Sequence, residues 1–245
     1  MAYKDQIDQD KLPQHIAVIM DGNGRWAKMH GKPRIFGHRN GVRAVRQISE
    51  AAAELGVKYL TLYAFSTENW SRPQIEVDAL MTLLISTVRS ELKTLNKNSI
   101  RLNAIGDLSK LPPKTYKTLQ EGIEDTIEND RMTLTLALNY SARWEITQAA
   151  KDIAQSVKNG LLDIDDINDK TIHDKLSTHD MPDPELMIRT SGEQRISNYL
   201  LWQLAYSELY FTDTFWPDFE KEDLYKAIVD YQARERRFGR ISEQL

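Results

Sequence analysis

Cysteine is absent from all 245 residues. That excludes disulfides, thiolate metal sites and a cysteine nucleophile, and it suits a reducing cytosol. Long apolar runs are missing as well. None approaches the ~20 residues needed to cross a bilayer, and the polar opening MAYKDQIDQDK is unlike a secretory signal. An excess of positive charge is also lacking: 36 acidic residues against 32 basic ones leave a net charge of −4. Nucleic acid is therefore not an expected partner, and any basic cluster is informative because it is local.

What is present is a regular alternation. Short apolar runs at 15–21, 57–65, 100–107, 132–140 and 185–191 read as strands, with 208–213 as a candidate sixth. Helical patterns fall between them at about 37–55, 76–96, 112–128, 142–159 and 168–176, and a last one lies at 219–236. This order implies an α/β fold: a mostly parallel central sheet of about six strands flanked by helices. No repeat, low-complexity tract or linker divides the chain, so one domain over 1–245 is expected, with 1–14 as a flexible N-terminal segment. In such sheets ligands collect outside the carboxyl ends of the strands. The unusual residues of this chain sit at those ends.

The first strand stops at Asp21 and runs into Gly22-Asn23-Gly24-Arg25-Trp26. Glycines allow close backbone approach, a helix start offers N–H groups to an anion, and Arg25 presents a fork matched to phosphate oxygens. Asp21 would repel a bare phosphate. The conflict disappears if Mg²⁺ lies between them, since this ion binds through one or two carboxylates plus substrate phosphates. A dinucleotide reading of the same glycines, as in an oxidoreductase, lacks its acidic residue ~20 positions on. The region after Ala27 is basic instead, with Lys28, Lys32, Arg34, His38, Arg39, Arg43 and Arg46. Arg34 and His38 lie four apart near a helix start and can face one anion, whereas a solvated helix face explains Arg43 and Arg46.

A second loop, YAFSTENWSRP, carries Ser66, Thr67, Glu68, Asn69, Trp70 and Arg72, with Trp70 equally well explained as core. Further on, Arg189, Arg195 and Ser197 surround Gly192 as another anion loop. Glu208 is either a second metal carboxylate or an ordinary surface acid. The helix at 76–96 is apolar around much of its circumference. It is either simply buried or lines a hydrophobic tunnel.

HIAVIMDGNGRWA, the GH at 37–38, LYAFSTENWSRP, MIRTSGEQRISNYLLWQLAYSELYF and RERRFG together resemble the cis-prenyltransferases, most closely the bacterial undecaprenyl diphosphate synthase branch, over nearly the whole chain. The resemblance implies an Mg²⁺-dependent homodimer built around a hydrophobic tunnel. Its members condense isopentenyl diphosphate repeatedly onto an allylic diphosphate such as farnesyl diphosphate, with cis geometry, giving a long-chain polyprenyl diphosphate used as a cell-wall lipid carrier precursor. It implies that Asp21 is the Mg²⁺-binding catalytic carboxylate and that Gly22, Asn23, Gly24 and Arg25 grip the allylic diphosphate. Trp26, Arg34 and His38 are implied as further contacts, as are Ser66, Thr67, Glu68, Trp70 and Arg72. Asn69 takes the proton-acceptor position; Arg189, Arg195, Ile196 and Ser197 take the isopentenyl diphosphate site; Glu208 takes a second metal position. Arg237, in the RFG at 237–239, is implied to act on a partner subunit's site. The enzyme is expected to be cytoplasmic, with peripheral membrane contact through its lipid product. A non-catalytic accessory subunit is the other reading, and Asp21, Asn69 and Arg195 together argue against it. A carboxamide is a poor base, so Asn69 is read as orienting a diphosphate or relaying a proton to a phosphate oxygen.

Asp165-Asp166-Ile167-Asn168-Asp169 spells the DDxxD metal motif of the all-helical trans-prenyltransferases, but no second aspartate-rich motif accompanies it. Replacing Asp165 and Asp166 together with alanine should leave nearly full prenyl-transfer activity; collapse of the rate would revive the trans reading.

Overall fold

The computed structural model describes residues 2–235. Six strands form one wholly parallel sheet: β1 (His15–Ile19), β2 (Tyr59–Ser66), β3 (Ile100–Ile105), β4 (Met132–Tyr140), β5 (Leu186–Arg189) and β6 (Glu208–Phe211). Their order is β3-β4-β2-β1-β5-β6. The chain thus builds outward from β1 on one side through β2, β4 and β3, and on the other through β5 and β6. A crevice is expected where the winding reverses, at the carboxyl end of β1. The expected sixth strand is real, and the sheet has no antiparallel member.

All five residues of β1 are buried, which explains its unbroken apolar run: a central parallel strand is covered on both faces. His15 belongs to this core. Its Nδ1–H donates to the Pro182 carbonyl at 2.6 Å, so Nε2 must accept from the Thr61 hydroxyl at 2.7 Å.

Among the described residues seven α-helices flank the sheet: α1 (Asn23–Met29), α2 (Arg34–Leu55), α3 (Gln74–Lys97), α4 (Pro113–Asp125), α5 (Ala142–Lys158), α6 (Asp169–His173) and α7 (Lys221–Gln232). The helices expected at 112–128 and 219–236 are shorter, Pro113–Asp125 and Lys221–Gln232, and two other boundaries have a clear local cause. The helix expected at 37–55 begins at Arg34, because Pro33 fixes an extended entrance at the N-cap. The helix expected at 168–176 is only α6: Asn168 and Thr171 form a reciprocal capping box that starts it, and separate turns follow His173. The N-terminal residues lie against α7, with Tyr3 N–H donating to Glu222 at 2.8 Å and Asp8 N–H to Gln232 at 3.0 Å.

Two close approaches set the position of the loop after β1. Trp216 is buried, its indole N–H donating to the Gly41 carbonyl at 3.0 Å and its backbone N–H to the Asp21 carbonyl at 3.0 Å. Gly37 lets α2 cross α1 at backbone contact, since a Cβ there would sit 1.9 Å from the Asn23 carbonyl oxygen. Gly37→Ala should therefore destabilise the fold by about 1–3 kcal/mol, read as a lower urea midpoint at unchanged slope.

Candidate active site

Asp21 ends the extension of β1 with its backbone fixed from both sides. The Thr190 hydroxyl accepts its N–H at 2.9 Å and donates to its carbonyl at 2.7 Å. Gly22 then turns the chain at φ 101, a left-handed value that glycine adopts without penalty. A side chain there would also strike Phe215 and Ser191. This turn lets the Gly22 N–H donate to Asp21 Oδ1 at 2.6 Å. Arg189, at the end of the neighbouring strand, donates to Oδ2 at 2.9 Å, and Arg25 lies 3.4 Å from the same atom.

Burial by itself would raise the Asp21 pKa. The Arg189 and Gly22 hydrogen bonds and the two guanidinium charges outweigh it and hold the carboxyl below the usual range. Asp21 is therefore an anion at neutral pH. Arg189 is only 3% exposed. Its other N–H groups donate to Ser197 Oγ at 2.7 Å and to the Arg195 carbonyl, while its Nε has no hydrogen-bond partner.

The arginines expected to hold anions already face carboxylates. Arg25 donates to Glu193 at 2.9 Å and to Ser191, and Arg195 also pairs with Glu193. Across the site, Arg34 and Arg72 share Glu76 Oε1 at 3.2 and 3.1 Å. His38 lies beside them. Burial first, then the Arg72 and Arg34 charges, lower its pKa to about 4 against an opposing pull from Glu76, so its ring is neutral at pH 7. Its Nε2 and the buried Asn23 Oδ1 join Arg189 Nε as polar atoms without a partner. Three such atoms at one mouth mark a site shaped for a polar ligand.

In the second loop, Asn69 Oδ1 accepts the Ser66 N–H at 3.2 Å as half of a capping box. Its NH₂, a donor, is the group suited to a diphosphate oxygen. Glu68 accepts from Asn198 at 2.9 Å and Thr67 at 3.2 Å. Burial would raise its pKa, but the Asn198, Ser66 and Thr67 hydrogen bonds and one from its own backbone outweigh that and keep it below the ordinary value.

Asp21, Asn23, His38, Ser66, Glu68, Asn69, Arg72, Arg189 and Ser197 line the polar end of one cavity of about 660 Å³. Its remainder is mostly apolar, walled by Leu80, Leu84 and Val88 of α3 and floored by Leu102, Leu136 and Leu138 of the sheet, with Arg46, Ser49, Thr87, Glu91 and Thr94 as polar exceptions. The helix left open between burial and lining thus does both.

The chain matches the prenyltransferase family model described as "Putative undecaprenyl diphosphate synthase" over residues 19–239. It belongs to that family. An isoprenyl transferase of Chlorobaculum tepidum is 56% identical over 96% of this chain and 88% of its own length. A ditrans,polycis-undecaprenyl-diphosphate synthase of Pasteurella multocida, described as specific for (2E,6E)-farnesyl diphosphate, is 50% identical over 97% of this chain and 99% of its own. Among solved structures, lavandulyl diphosphate synthase of Lavandula x intermedia in complex with dimethylallyl diphosphate superposes with TM-score 0.91 at 39% identity, covering 94% of this chain and 99% of that one. A "probable undecaprenyl diphosphate synthase" of Campylobacter jejuni gives 0.77 at 35% identity, covering 93% and 99%.

Several expected residues of this prenyltransferase do not line the cavity. Trp26 stacks on Phe36 and donates to Asp218 at 2.7 Å. Trp70 packs edge-on against Phe65 and donates to Asn139 at 2.7 Å, the core alternative. Ile196 packs with the aromatic cluster around Tyr199. Gly24 takes a helical place under the Arg34 guanidinium.

The expectation for Glu208 needs correction within a single chain. It pairs in register with Leu186, level with Ile16, and so opens β6 at the opposite end of the sheet. Five residues of strand, about 16 Å, separate it from Asp21, and it accepts from Arg234 at 2.9 Å instead. Arg237 lies outside the described residues. Sequence reading missed Glu76 and Glu193, because a lone acid carries no signal until the fold sets two arginines beside it.

Protonation of His38 opposes folding. Its folded pKa of about 4 lies below the unfolded 6.5. The unfolded chain therefore binds the proton first, and stability falls as pH drops through that window. His38→Gln should flatten the wild-type acid slope between pH 6.5 and 4 by up to about 1.4 kcal/mol per pH unit, measured by urea unfolding at several pH values.

Proposed function

We propose that this prenyltransferase condenses isopentenyl diphosphate repeatedly onto farnesyl diphosphate, with cis geometry, and makes undecaprenyl diphosphate. The observation that carries the reading is one continuous cavity, in which a charged mouth built around Asp21 and Arg189 opens directly into a mostly apolar interior. Such a site suits a ligand with a diphosphate head and a hydrocarbon tail. A nicotinamide cofactor fits less well, since the sheet order differs from the 3-2-1-4-5-6 order of dinucleotide folds.

In this reading, Gly22 to Arg25, Arg34, His38 and Arg72 take the allylic diphosphate, and Arg189, Arg195 and Ser197 take that of isopentenyl diphosphate. Each anion displaces a carboxylate, Glu76 or Glu193, from the arginines it joins. The allylic C–O bond breaks, the terminal alkene carbon of isopentenyl diphosphate bonds to the freed carbon, and a proton leaves to restore a double bond. The arginines stabilise the departing diphosphate charge. Holding the alkene beside the allylic carbon supplies much of the remaining acceleration. Asn69, held through its oxygen by the Ser66 N–H, orients a diphosphate by donation from its NH₂, and a diphosphate oxygen takes the proton.

The donor set fits Mg²⁺. Among the described residues no group of three or more carboxylates and histidines gathers, so an ion here would rest on the ionised Asp21 and on diphosphate oxygens, its usual mode. When bound, the ion supplies charge neutralisation of the leaving diphosphate. Glu208 can assist only from another copy of the chain. The motif resemblance supports a homodimer in which Arg237 reaches the partner's site. It also supports peripheral membrane contact through the product; no described helix is long and apolar enough to cross a membrane.

Incubation with Mg²⁺, farnesyl diphosphate and labelled isopentenyl diphosphate should give long polyprenyl diphosphates when the extracted lipids are sized. Chelation should stop it, and Asp21→Ala should lower kcat by about 10²–10³-fold. A wild-type protein that binds both diphosphates yet forms no labelled lipid would sink the proposal.

A further inference from the structure

Two Arg–Glu pairs bridge the seam between α2 and α3. The upper one, Arg34–Glu76, shares its carboxylate with Arg72, which lines the mouth. The lower one joins Arg46 to Glu91, and the diphosphates of the proposed reaction have no use for it. Arg46 Nε donates to Oε2 at 2.8 Å and Nη2 to Oε1 at 2.5 Å, a fork that engages both carboxylate oxygens. Glu91 is only 8% exposed although it sits on the cavity-lining face of an apolar helix. Arg46 keeps half its side chain in water, as a solvated helix face requires, while also lining the cavity. The pair therefore stands in the wall between apolar interior and solvent. Thr87, Thr94 and the partnerless buried hydroxyl of Ser49 line the cavity with it, a polar collar that a simple hydrocarbon sheath would not need.

Its position matters for a growing chain. Glu91 lies 15 residues beyond Glu76 on α3, about 22 Å down the helix from the mouth. A 150 Å³ cavity holds benzene, roughly 25 Å³ per carbon. On that scale the eleven-unit hydrocarbon of the proposed product needs about 1400 Å³, some twice the 660 Å³ available. A fully grown chain therefore outsizes the cavity as it stands, and late growth needs the wall between α2 and α3 to yield.

We propose that the Arg46–Glu91 pair is a latch across the α2–α3 seam, opened by the elongating hydrocarbon as its distal end passes out between the two helices, so that the pair governs late condensations and product length. The inference rests on the polyprenyl-synthase reading. The latch has no part in binding either diphosphate, so its loss should spare the first condensation.

The absence of cysteine makes the test selective. Arg46→Cys/Glu91→Cys, joined by a short, reductively cleavable bis-maleimide, should add the first isopentenyl unit within twofold of the wild-type rate. It should then accumulate intermediate-length lipids at least fivefold and recover full-length product once the linker is cleaved. Glu91→Gln, which keeps shape but weakens the pair, should move the same readout the other way and lower the intermediate fraction at least twofold. A merely structural brace would slow every condensation alike. Full-length product from the cross-linked enzyme, or an unchanged length distribution in Glu91→Gln, overturns the latch. Failure of the wild type to form any lipid is separate and strikes the function itself.

Discussion

A guanidinium can be buried only if its charge and its N–H groups find partners. Arg189 meets that condition by drawing three segments together. Asp21 comes from the end of β1, Ser197 Oγ and the Arg195 carbonyl from the loop beyond β5, and the strand carrying Arg189 lies between them. The ionised state of Asp21 and the course of the 195–197 loop both lean on this one buried cation. The Arg189 Nε that remains without a partner points to what the arrangement is for.

The same logic extends around the mouth. Arg25 and Arg195 are held by Glu193, and Arg34 and Arg72 by Glu76. Protein carboxylates thus stand where the proposed diphosphates would act, and they keep a ring of like charges stable until a ligand exchanges with them. The neutral ring of His38 fits this crowding, since a further cation beside Arg34 and Arg72 would add to the repulsion.

Below the mouth the physics changes within one helix. α3 begins beside Arg72 and ends near the start of β3, so its stripe of Leu80, Leu84 and Val88 carries the cavity from charge to hydrocarbon. The buried carboxylate of Glu91 interrupts that stripe, and Arg46 answers it from α2. A growing apolar chain and a polar latch in one wall give the cavity a means of telling a short tail from a long one.

The alternation of apolar runs determined the parallel α/β sheet, because strands covered on both faces must read as unbroken apolar segments. The loop motifs placed Asp21, Asn69 and Arg189 at strand ends, and their family pattern was legible without coordinates. The tertiary structure decided which residues meet. Glu76 and Glu193 became part of the site only when folding set arginines beside them. Glu208 left Asp21's vicinity because parallel register fixes it at the other end of β6. Trp70 turned to the core because Phe65 and Asn139 wait there. Local sequence sets backbone periodicity and chemistry, whereas charge pairing and cavity shape depend on contacts between residues far apart in the chain.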